Sequence, residues 1–415
     1  MCFALLRPIL VVLVAAFMMM AGMGTLATVL GIRLVATGSS TLVIGLVMGA
    51  YWAGLTIGSV YTGRLIKGVG HIRCFGAAVA AISAATLLHA MIPGAAAWGV
   101  LRLVEGVCMA GVFVCMESWL NQKAASDSRG QILAFYMIAL YAGQASGQTL
   151  LLLEDGQGPT IFLALSVLLS LTMLPVTLTR QTPPTLPDIV SFGLSRLYQA
   201  SPLGLAGVVA AGLVGGAVVN MAPVVLVQSG RSVGDTALFM SAVILGGVLL
   251  QWPLGRLSDL FDRRTVLVSL FIALAVMGMS MALTVEAGFG LMLTGGVLFG
   301  GIIFTLYPVS VAHTNDWLRP ADIVPASGGL VLGYSIGAAA GPFAASLVID
   351  SAGPGGLFLF SAGMGLLAAL FGLWRMLMRP PQPGERQSPY QTLPQTTPVA
   401  APLDPRAPLP PRPHR

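Results

Sequence analysis

The chain has 415 residues, of which 56% are hydrophobic and 9% are charged, with a mean hydropathy of +0.87. This composition excludes an ordinary soluble globular domain and predicts an integral membrane protein. The formal net charge is +6. In such a protein an excess of basic residues reflects orientation across the bilayer, so no nucleic-acid partner is expected.

Apolar runs of about 20 residues, the length that crosses ~30 Å of hydrocarbon, recur from one end of the chain to the other. The period-2 alternation of a membrane β-barrel is missing, so each run predicts a helix. The first run is expected to be an uncleaved span and not a signal peptide. The twelve predicted spans are 8–32, 41–66, 71–92, 95–120, 128–152, 158–178, 203–228, 233–258, 264–284, 286–312, 322–350 and 354–378.

Lysines and arginines between the spans fall almost entirely on the side of the N terminus. In the opposite loops stand only Arg33 and Arg231. By the positive-inside rule both termini are expected in the cytoplasm, which places the protein in a bacterial inner membrane as a multi-pass protein.

A polar stretch at residues 179–202 divides the chain into an N-terminal half, 1–178, and a C-terminal half, 203–378. An offset of 192 residues aligns Gly54 with Gly246 and the triplet GRL at 63–65 with that at 255–257. An offset of 194 aligns Gly106 with Gly300, Asn121 with Asn315, Gly143 with Gly337 and Gly147 with Gly341. This set of matches predicts a duplication, with a substrate site between two six-helix halves near the bilayer midplane.

Several short motifs resemble those of the major facilitator superfamily. The stretch GRLSDLFDRR at 255–264 resembles its cytoplasmic loop signature, and RLVEG at 102–106 resembles its Arg-x-x-x-Gly pattern. The pair ESWLN at 117–121 and YPVSVAHTND at 307–316 is similar to the bacterial YcaD-like branch, whose members are mostly transporters of unassigned substrate. The resemblance covers residues 8–378 and implies an all-α membrane fold of twelve helices in two pseudo-symmetric bundles.

The resemblance also implies a cytoplasmic gate. In the family an Asp of the loop signature caps a neighbouring helix of the same half and helps to lock the outward-facing state. Asp259 matches that Asp, whereas Lys67 stands in its place in the first half, where an ammonium would oppose the helix dipole. An asymmetric latch is expected, with a purely topogenic role for Lys67 as the alternative. The gate residues of the two loops are Gly63, Arg64, Lys67, Gly255, Arg256, Asp259, Arg263 and Arg264.

Arg102 and Glu105 lie three residues apart inside span four, so they project from one helix face and can reach each other. Charged residues within a membrane face the protein interior and pair. One hypothesis is a structural ion pair that pins span four to its neighbours. The other is a coupling site in which Glu105 binds a proton and Arg102 senses the change, a role that the resemblance favours.

Glu117, a third candidate for proton coupling, lies ~18 Å beyond Glu105 along the helix, near its cytoplasmic end. Asn121 is close to it, and Trp119 is expected to anchor the helix in the membrane interface. The corresponding end of span ten holds His313, Asn315 and Asp316. Hydrogen bonds between these two ends are expected to form a gate across the halves. His313, which lies beside an acid there, is expected to be a solvated interfacial histidine, with a proton relay as the alternative.

Tyr141, Gln144 and Gln148 fall on one face of span five. The amides either bond to neighbouring helices or line a wet cavity, and the family's use of its fifth span favours the cavity. Asn220 and Tyr307 are weaker candidates for contact with a substrate.

No phosphate-binding loop, nucleophile elbow or metal-spaced His/Cys cluster occurs, so neither an enzyme nor a bound metal or cofactor is expected. The Pro-rich tail at 379–415 is expected to be a disordered cytoplasmic extension.

The resulting hypothesis is a secondary active transporter, working as a monomer in the lipid bilayer, that exports a small organic solute in exchange for protons. Two alternatives stay open: import of a sugar or metabolite by the same fold, and a non-transporting membrane sensor or scaffold.

The one-sided distribution of basic residues generates a topological prediction. Reporter fusions that are active on only one side of the membrane measure it directly. An inverted pattern, or one that requires an odd number of spans, would contradict the architecture. Cytoplasmic activity is expected for fusions after residues 68, 190, 262 and 385, and external activity near residues 93 and 231.

Overall fold

The computed structural model of the protein describes residues 9–125, 128–153, 158–178, 184, 192–285, 288–378, 382, 387 and 389–406. Every regular element within these ranges is helical. The fold is therefore all-α, as the composition predicts.

Twelve long helices follow one another at the predicted positions, and a short helix, Leu194–Ala200, precedes the seventh. The sixth is broken into Thr160–Leu171 and Met173–Thr177. In chain order they are α1 (Leu10–Ala36), α2 (Thr41–Val69), α3 (His71–Met91), α4 (Ala95–Lys123), α5 (Arg129–Gly147), α6 (Thr160–Thr177), α7 (Pro202–Gln228), α8 (Val233–Leu260), α9 (Arg263–Thr284), α10 (Phe289–Asn315), α11 (Ile323–Ala352) and α12 (Gly356–Met378).

Among the described residues, eleven helices are long and apolar enough to cross a membrane. The twelfth long helix, α5, is more polar because it contains Arg129, Gln131 and Gln144. It continues as a 3₁₀ helix, Gln148–Leu153. Polar residues are tolerated in a membrane helix that faces other helices or a cavity, and α5 faces both.

Glycines bring parallel helices of each half into backbone contact. A Cβ atom added to Gly54 of α2 would lie 2.1 Å from the carbonyl oxygen of Leu103 on α4. At the equivalent site of the second half, a Cβ on Gly246 of α8 would lie 1.9 Å from the oxygen of Val297 on α10. Only a residue without a side chain fits at such distances, which small residues provide in membrane helix interfaces.

The other glycines of the repeat follow the same rule. Each would place a Cβ within 2.4 Å of a carbonyl oxygen on the parallel partner helix. The pairs are Gly106 with Tyr51, Gly300 with Val243, Gly143 with Phe17, Gly337 with Val209, Gly147 with Ala21 and Gly341 with Leu213. Equivalent glycines thus make equivalent contacts in two pseudo-symmetric six-helix bundles.

The halves meet at one end of the bundle, where α1, α5 and α7 end. There Ser241 Oγ of α8 donates to the carbonyl oxygen of Ala145 on α5 over 3.0 Å. Gln228 of α7 donates to the hydroxyl of Thr41 on α2 over 3.4 Å. The other end, where α2, α4, α8 and α10 end, is here called the basic face. At the basic face residues 389–406 lie between the halves.

The expectation of a disordered tail does not hold for residues 389–406, named here the tail segment. Tyr390, Leu393, Val399 and Leu403 are each no more than 8% exposed. A proline-rich segment cannot build a core of its own, but the helices supply a groove in which its few apolar side chains are buried. Most of 379–388 and all of 407–415 lie outside the described residues.

The glycine contacts generate a stability prediction. Gly106→Ala should lower the free energy of unfolding by about 1–3 kcal/mol, because backbone atoms on α2 cannot move aside as a flexible side chain can. Gly63→Ala on α2 is the matched control, since a Cβ there has nothing within 4 Å. Thermal unfolding of the purified variants measures the difference. Equal stability of the two variants would show that the helix contact is looser than described.

Candidate functional site

A cavity lies between the two halves. Helices α1, α2, α4 and α5 of the first half and α7, α10 and α11 of the second form its wall. Aromatic rings make up much of that wall: Tyr51, Trp52, Tyr141, Phe304, Tyr307 and Tyr334. The space suits a small organic molecule with an apolar body.

Ring contacts cross the boundary between the halves at this cavity. Trp52 of α2 and Tyr334 of α11 meet edge to face with centroids 5.8 Å apart. Tyr141 of α5 and Phe304 of α10 do the same at 5.2 Å. A relative movement of the two halves would break these ring contacts.

Four of the five side chains predicted to line a cavity lie in this wall. They are Tyr141 and Gln144 of the first half and Asn220 and Tyr307 of the second. Gln148 instead accepts a hydrogen bond from the hydroxyl of Thr28 on α1 over 2.9 Å. For Gln148 the alternative of a bond between helices is therefore the correct one, because its position beyond the last turn of α5 turns it towards α1.

A buried ionisable cluster lies on α3 and α4. Arg102 Nη1 donates to Oε2 of Glu105 over 2.9 Å, so the contact predicted from their spacing is present. His89 Nε2 lies 3.2 Å from Oε1 of the same carboxylate. Sequence reasoning missed His89, although an ionisable residue inside a predicted span is itself a signal of function.

Aromatic rings enclose this cluster. The guanidinium of Arg102 lies 4.4 Å from the centroid of the Tyr51 ring, within the range of a cation–π contact. The imidazole of His89 contacts Trp98 edge to face at 5.4 Å and stacks near Phe162 at 6.3 Å. Of the described residues in the cavity wall, Arg102 alone carries a charge, so it joins the cluster to the cavity.

The second carboxylate of α4, Glu117, is fully buried nearer the basic face. Tyr136 on α5 donates its hydroxyl to Oε1 over 3.4 Å, and the hydroxyls of Thr396 and Thr397 donate to the two carboxylate oxygens. The expected bonds from this helix end to the end of α10 are replaced by bonds to the tail segment. The tail segment occupies the space between the two ends.

Two expectations about ring side chains are wrong. Trp119 is 2% exposed and contacts Phe75 on α3 edge to face, so it packs inside the bundle and does not anchor the helix at the interface. His313 is 4% exposed and lies edge to face with Trp317 at 6.4 Å, so it is not a solvated interfacial histidine. Both errors concern packing between helices, which the local pattern does not contain.

The loop residues of the second half form an ion-pair network. Arg263 donates to Asp316 over 2.7 Å and to Oδ1 of Asp259 over 2.9 Å. The same Asp259 oxygen accepts the backbone N–H of Tyr390 over 2.8 Å. Asp259 is thus bound to the tail segment, and the cap that it was expected to form is made by Asp262, which accepts the backbone N–H of the second residue of α9.

The first loop carries a cation, Lys67, where the second loop carries Asp259. Lys67 is exposed in the last turn of α2, where the negative end of the helix dipole favours a cation. Arg64 and Arg256, at equivalent positions of the two halves, lie over aromatic rings of their own helices, Tyr61 and Trp252. The two loops therefore differ at the position of Lys67 and Asp259, whereas Arg64 and Arg256 make the same kind of contact.

Comparison with known proteins agrees with this architecture. The family model of the Major Facilitator Superfamily matches the chain twice, over residues 12–202 and 203–409. The chain belongs to the Major Facilitator Superfamily. It is 28% identical over 369 residues to "Uncharacterized MFS-type transporter YcaD" of Salmonella enteritidis PT4, covering 88% of this chain and 94% of the relative. The relative of the same name from Salmonella typhi is 28% identical over 382 residues, 91% and 98% of the two chains.

Among solved structures, the nucleoside transporter NupG superposes with a TM-score of 0.73 over 88% of this chain and 98% of NupG. The sequence identity is 14%, so this likeness shows the fold and not the substrate. Family and fold together show a multi-pass membrane transporter with a small molecule as substrate and the lipid bilayer as surroundings.

The buried cluster generates a stability prediction. Arg102→Met alone should cost about 3–5 kcal/mol, because it leaves the Glu105 carboxylate buried without its cation. The triple variant His89→Leu, Arg102→Met, Glu105→Leu leaves no buried charge at this place and should recover most of that loss. Thermal unfolding in detergent compares the two with Arg64→Met, an exposed control. Equal melting temperatures of the single and triple variants would contradict a buried ion pair between Arg102 and Glu105.

Proposed function

We propose that the protein exports a small organic solute from the cytoplasm in exchange for protons, by alternating access of the central cavity to the two sides of the membrane. The observation that carries the proposal is that Arg102 belongs both to the buried ionisable cluster and to the cavity wall. The same guanidinium is bound to the buried Glu105 carboxylate and forms part of the cavity wall. A change of protonation at the cluster therefore changes the charge that a solute meets.

Glu105 is the proposed proton carrier. The titratable and charged groups that face it are His89 on α3, Arg102 and Cys108 on α4 and the phenol of Tyr51 on α2. When Glu105 is ionised, it holds Arg102 by a charge-assisted bond, which is roughly twice as strong as a neutral one. When Glu105 is protonated, the guanidinium is released to interact with the solute or with Tyr51. Proton and solute thus compete for one cation.

The cavity favours a neutral or anionic solute with an aromatic or aliphatic body. Its wall offers rings for stacking, the amides of Gln144 and Asn220 for hydrogen bonds, and the guanidinium of Arg102 for an anionic group. The surface that the wall turns towards the cavity is mainly apolar, which is why import of a sugar is the weaker alternative.

Alternation requires that the halves open at one face while they close at the other. Close contacts join the halves opposite the basic face, for example Gly45 of α2 against Pro342 of α11. The proposal identifies the basic face with the cytoplasm by the positive-inside rule. In that orientation the halves are joined on the outer side, and the cytoplasmic side is the one from which a solute is picked up for export.

Glu105→Gln tests the coupling. A panel of neutral and anionic aromatic compounds is first screened by thermal shift on the purified protein, since a ligand of the folded state raises its stability. The strongest binder is then used as the labelled solute in proteoliposomes. Glu105→Gln mimics the protonated acid, so we expect counterflow within about twofold of the unchanged protein and loss of accumulation driven by a pH gradient.

The outcomes separate the alternatives. If Glu105→Gln accumulates the solute normally in a pH gradient, Glu105 does not carry the proton and the cluster has only a structural role. Binding without any flux, in the unchanged protein as well, would favour the non-transporting sensor. Asp350→Asn is the matched control, because it neutralises an exposed carboxylate outside the cavity.

A further inference from the structure

The tail segment, residues 389–406, is seated in a groove between the two halves on the basic face. Prolines occupy five of its eighteen positions and fix backbone torsions, so less conformational entropy is lost when the segment docks. Apolar side chains of the segment are buried against the helices, and helix side chains bond to the backbone N–H of Tyr390 and the carbonyl oxygen of Val399. The groove therefore has the properties of a peptide-binding site whose occupant is already in place.

One anchor of the segment lies on the first half. Thr396 and Thr397 each donate a hydroxyl to a different oxygen of Glu117, a side chain with no exposed surface. A buried carboxylate needs hydrogen-bond donors. Among the described residues, the only helix side chain that donates to Glu117 is Tyr136. Two neighbouring hydroxyls that meet both oxygens are a specific fit, since a sliding of the segment by one residue would lose one of the bonds.

A second anchor lies on the other half. The backbone N–H of Tyr390 donates to Asp259 over 2.8 Å. The ring of Tyr390 lies over Gly255, where an added Cβ would be 2.2 Å from a ring carbon. The glycine and the aspartate of the GRLSD motif thus both contact the segment, whereas Gly63 of the first half has nothing within 4 Å of an added Cβ.

The duplicated asparagines also face the segment. Asn121 at the end of α4 donates to the carbonyl oxygen of Val399. Its counterpart Asn315, at the end of α10, lines a small cavity together with Thr397 and Asp404. Equivalent positions of the two halves thus contact the same stretch of the segment, which lies across the boundary between them.

The segment reaches the transport cavity itself. Pro394, Gln395 and Thr396 form part of the wall of that cavity, and the amide of Gln395 donates to the hydroxyl of Tyr334 over 3.4 Å. Tyr334 is one of the rings that contact the other half. A solute entering from the basic face meets the segment before it meets Arg102.

We propose that the groove on the basic face is a peptide-binding site for the chain's own segment 389–406, and that the docked segment closes the transport cavity to this face. Solute entry requires the segment to leave. Closure of the halves at the basic face also requires it to leave, because the segment occupies the space in which α4 and α10 would approach. The segment is therefore an inhibitor built into the chain.

The tether makes docking effective even for a weak site. Eleven residues lie between Met378, the end of α12, and Tyr390, and an extended chain of that length spans up to roughly 40 Å. A short linker holds the peptide attached to it at an effective concentration on the order of millimolar. A free peptide would thus compete poorly with the intact tail and bind well only when the tail's own anchors are removed.

Accessibility of a cavity position tests the proposal without any solute or proton gradient, so its result is independent of the proposed transport function. Ala27→Cys places a thiol in the cavity wall with little change in size. A membrane-impermeant maleimide is added to the full-length protein in nanodiscs, and the adduct at position 27 is quantified by mass spectrometry. The reaction should be slow with the unchanged tail. It should be at least tenfold faster in the double valine variant, which combines Thr396→Val with Thr397→Val.

Controls keep the result specific. Thr396→Ser and Thr397→Ser retain both hydroxyls and should label as slowly as the unchanged tail. Tyr390→Ala removes the second anchor and should also label faster. All three positions lie outside the helices, so the bundle's own contacts are preserved. The free peptide PYQTLPQTTPVAAPLDPR should slow labelling of the double valine variant, whereas a scrambled peptide should not.

Two results would overturn the proposal. The first is equal labelling of the unchanged, double valine and Tyr390→Ala tails, which would mean that the segment does not close the cavity. The second is fast labelling of the valine variant that the peptide leaves unchanged, which would mean that the groove is not a peptide site.

Discussion

Backbone contact between parallel helices is the constraint on which the rest of the structure depends. Lipid is as apolar as leucine, so helices in a membrane associate through close packing and hydrogen bonds, not through a hydrophobic effect. Gly54 and Gly106 bring α2 and α4 together, and Gly246 and Gly300 do the same for α8 and α10. With α4 held in this way, its two glutamates face the protein interior and not the lipid.

The buried charges follow from that packing. Glu105 is enclosed by α2, α3 and α4, where water is excluded and an unpaired carboxylate would be costly, so Arg102 and His89 both contact it. Arg102 is also the charged member of the described cavity wall. One side chain therefore satisfies a structural requirement of the bundle and faces the space where a solute binds.

The two carboxylates of α4 are held by different partners. Glu105 is bound by a cation and an imidazole within the first half, whereas Glu117, ~18 Å further along the helix, is bound mainly by hydroxyls of the tail segment. The helix thus connects the proposed proton site with the docking groove at the basic face. The ring contact of Trp52 on α2 with Tyr334 on α11 joins the first half to the second at the cavity.

The sequence by itself determined the twelve helices, the repeat of glycines and the contact of Arg102 with Glu105, because hydrophobic length, residue size and helical spacing are local properties. Only the tertiary structure decided the partners that lie far apart in the chain. His89 and Glu105 come from different helices, and Thr396 is 279 residues from Glu117. A proline-rich tail has no periodicity that reveals its binding site. Its position depends on a groove that exists only after both halves have packed.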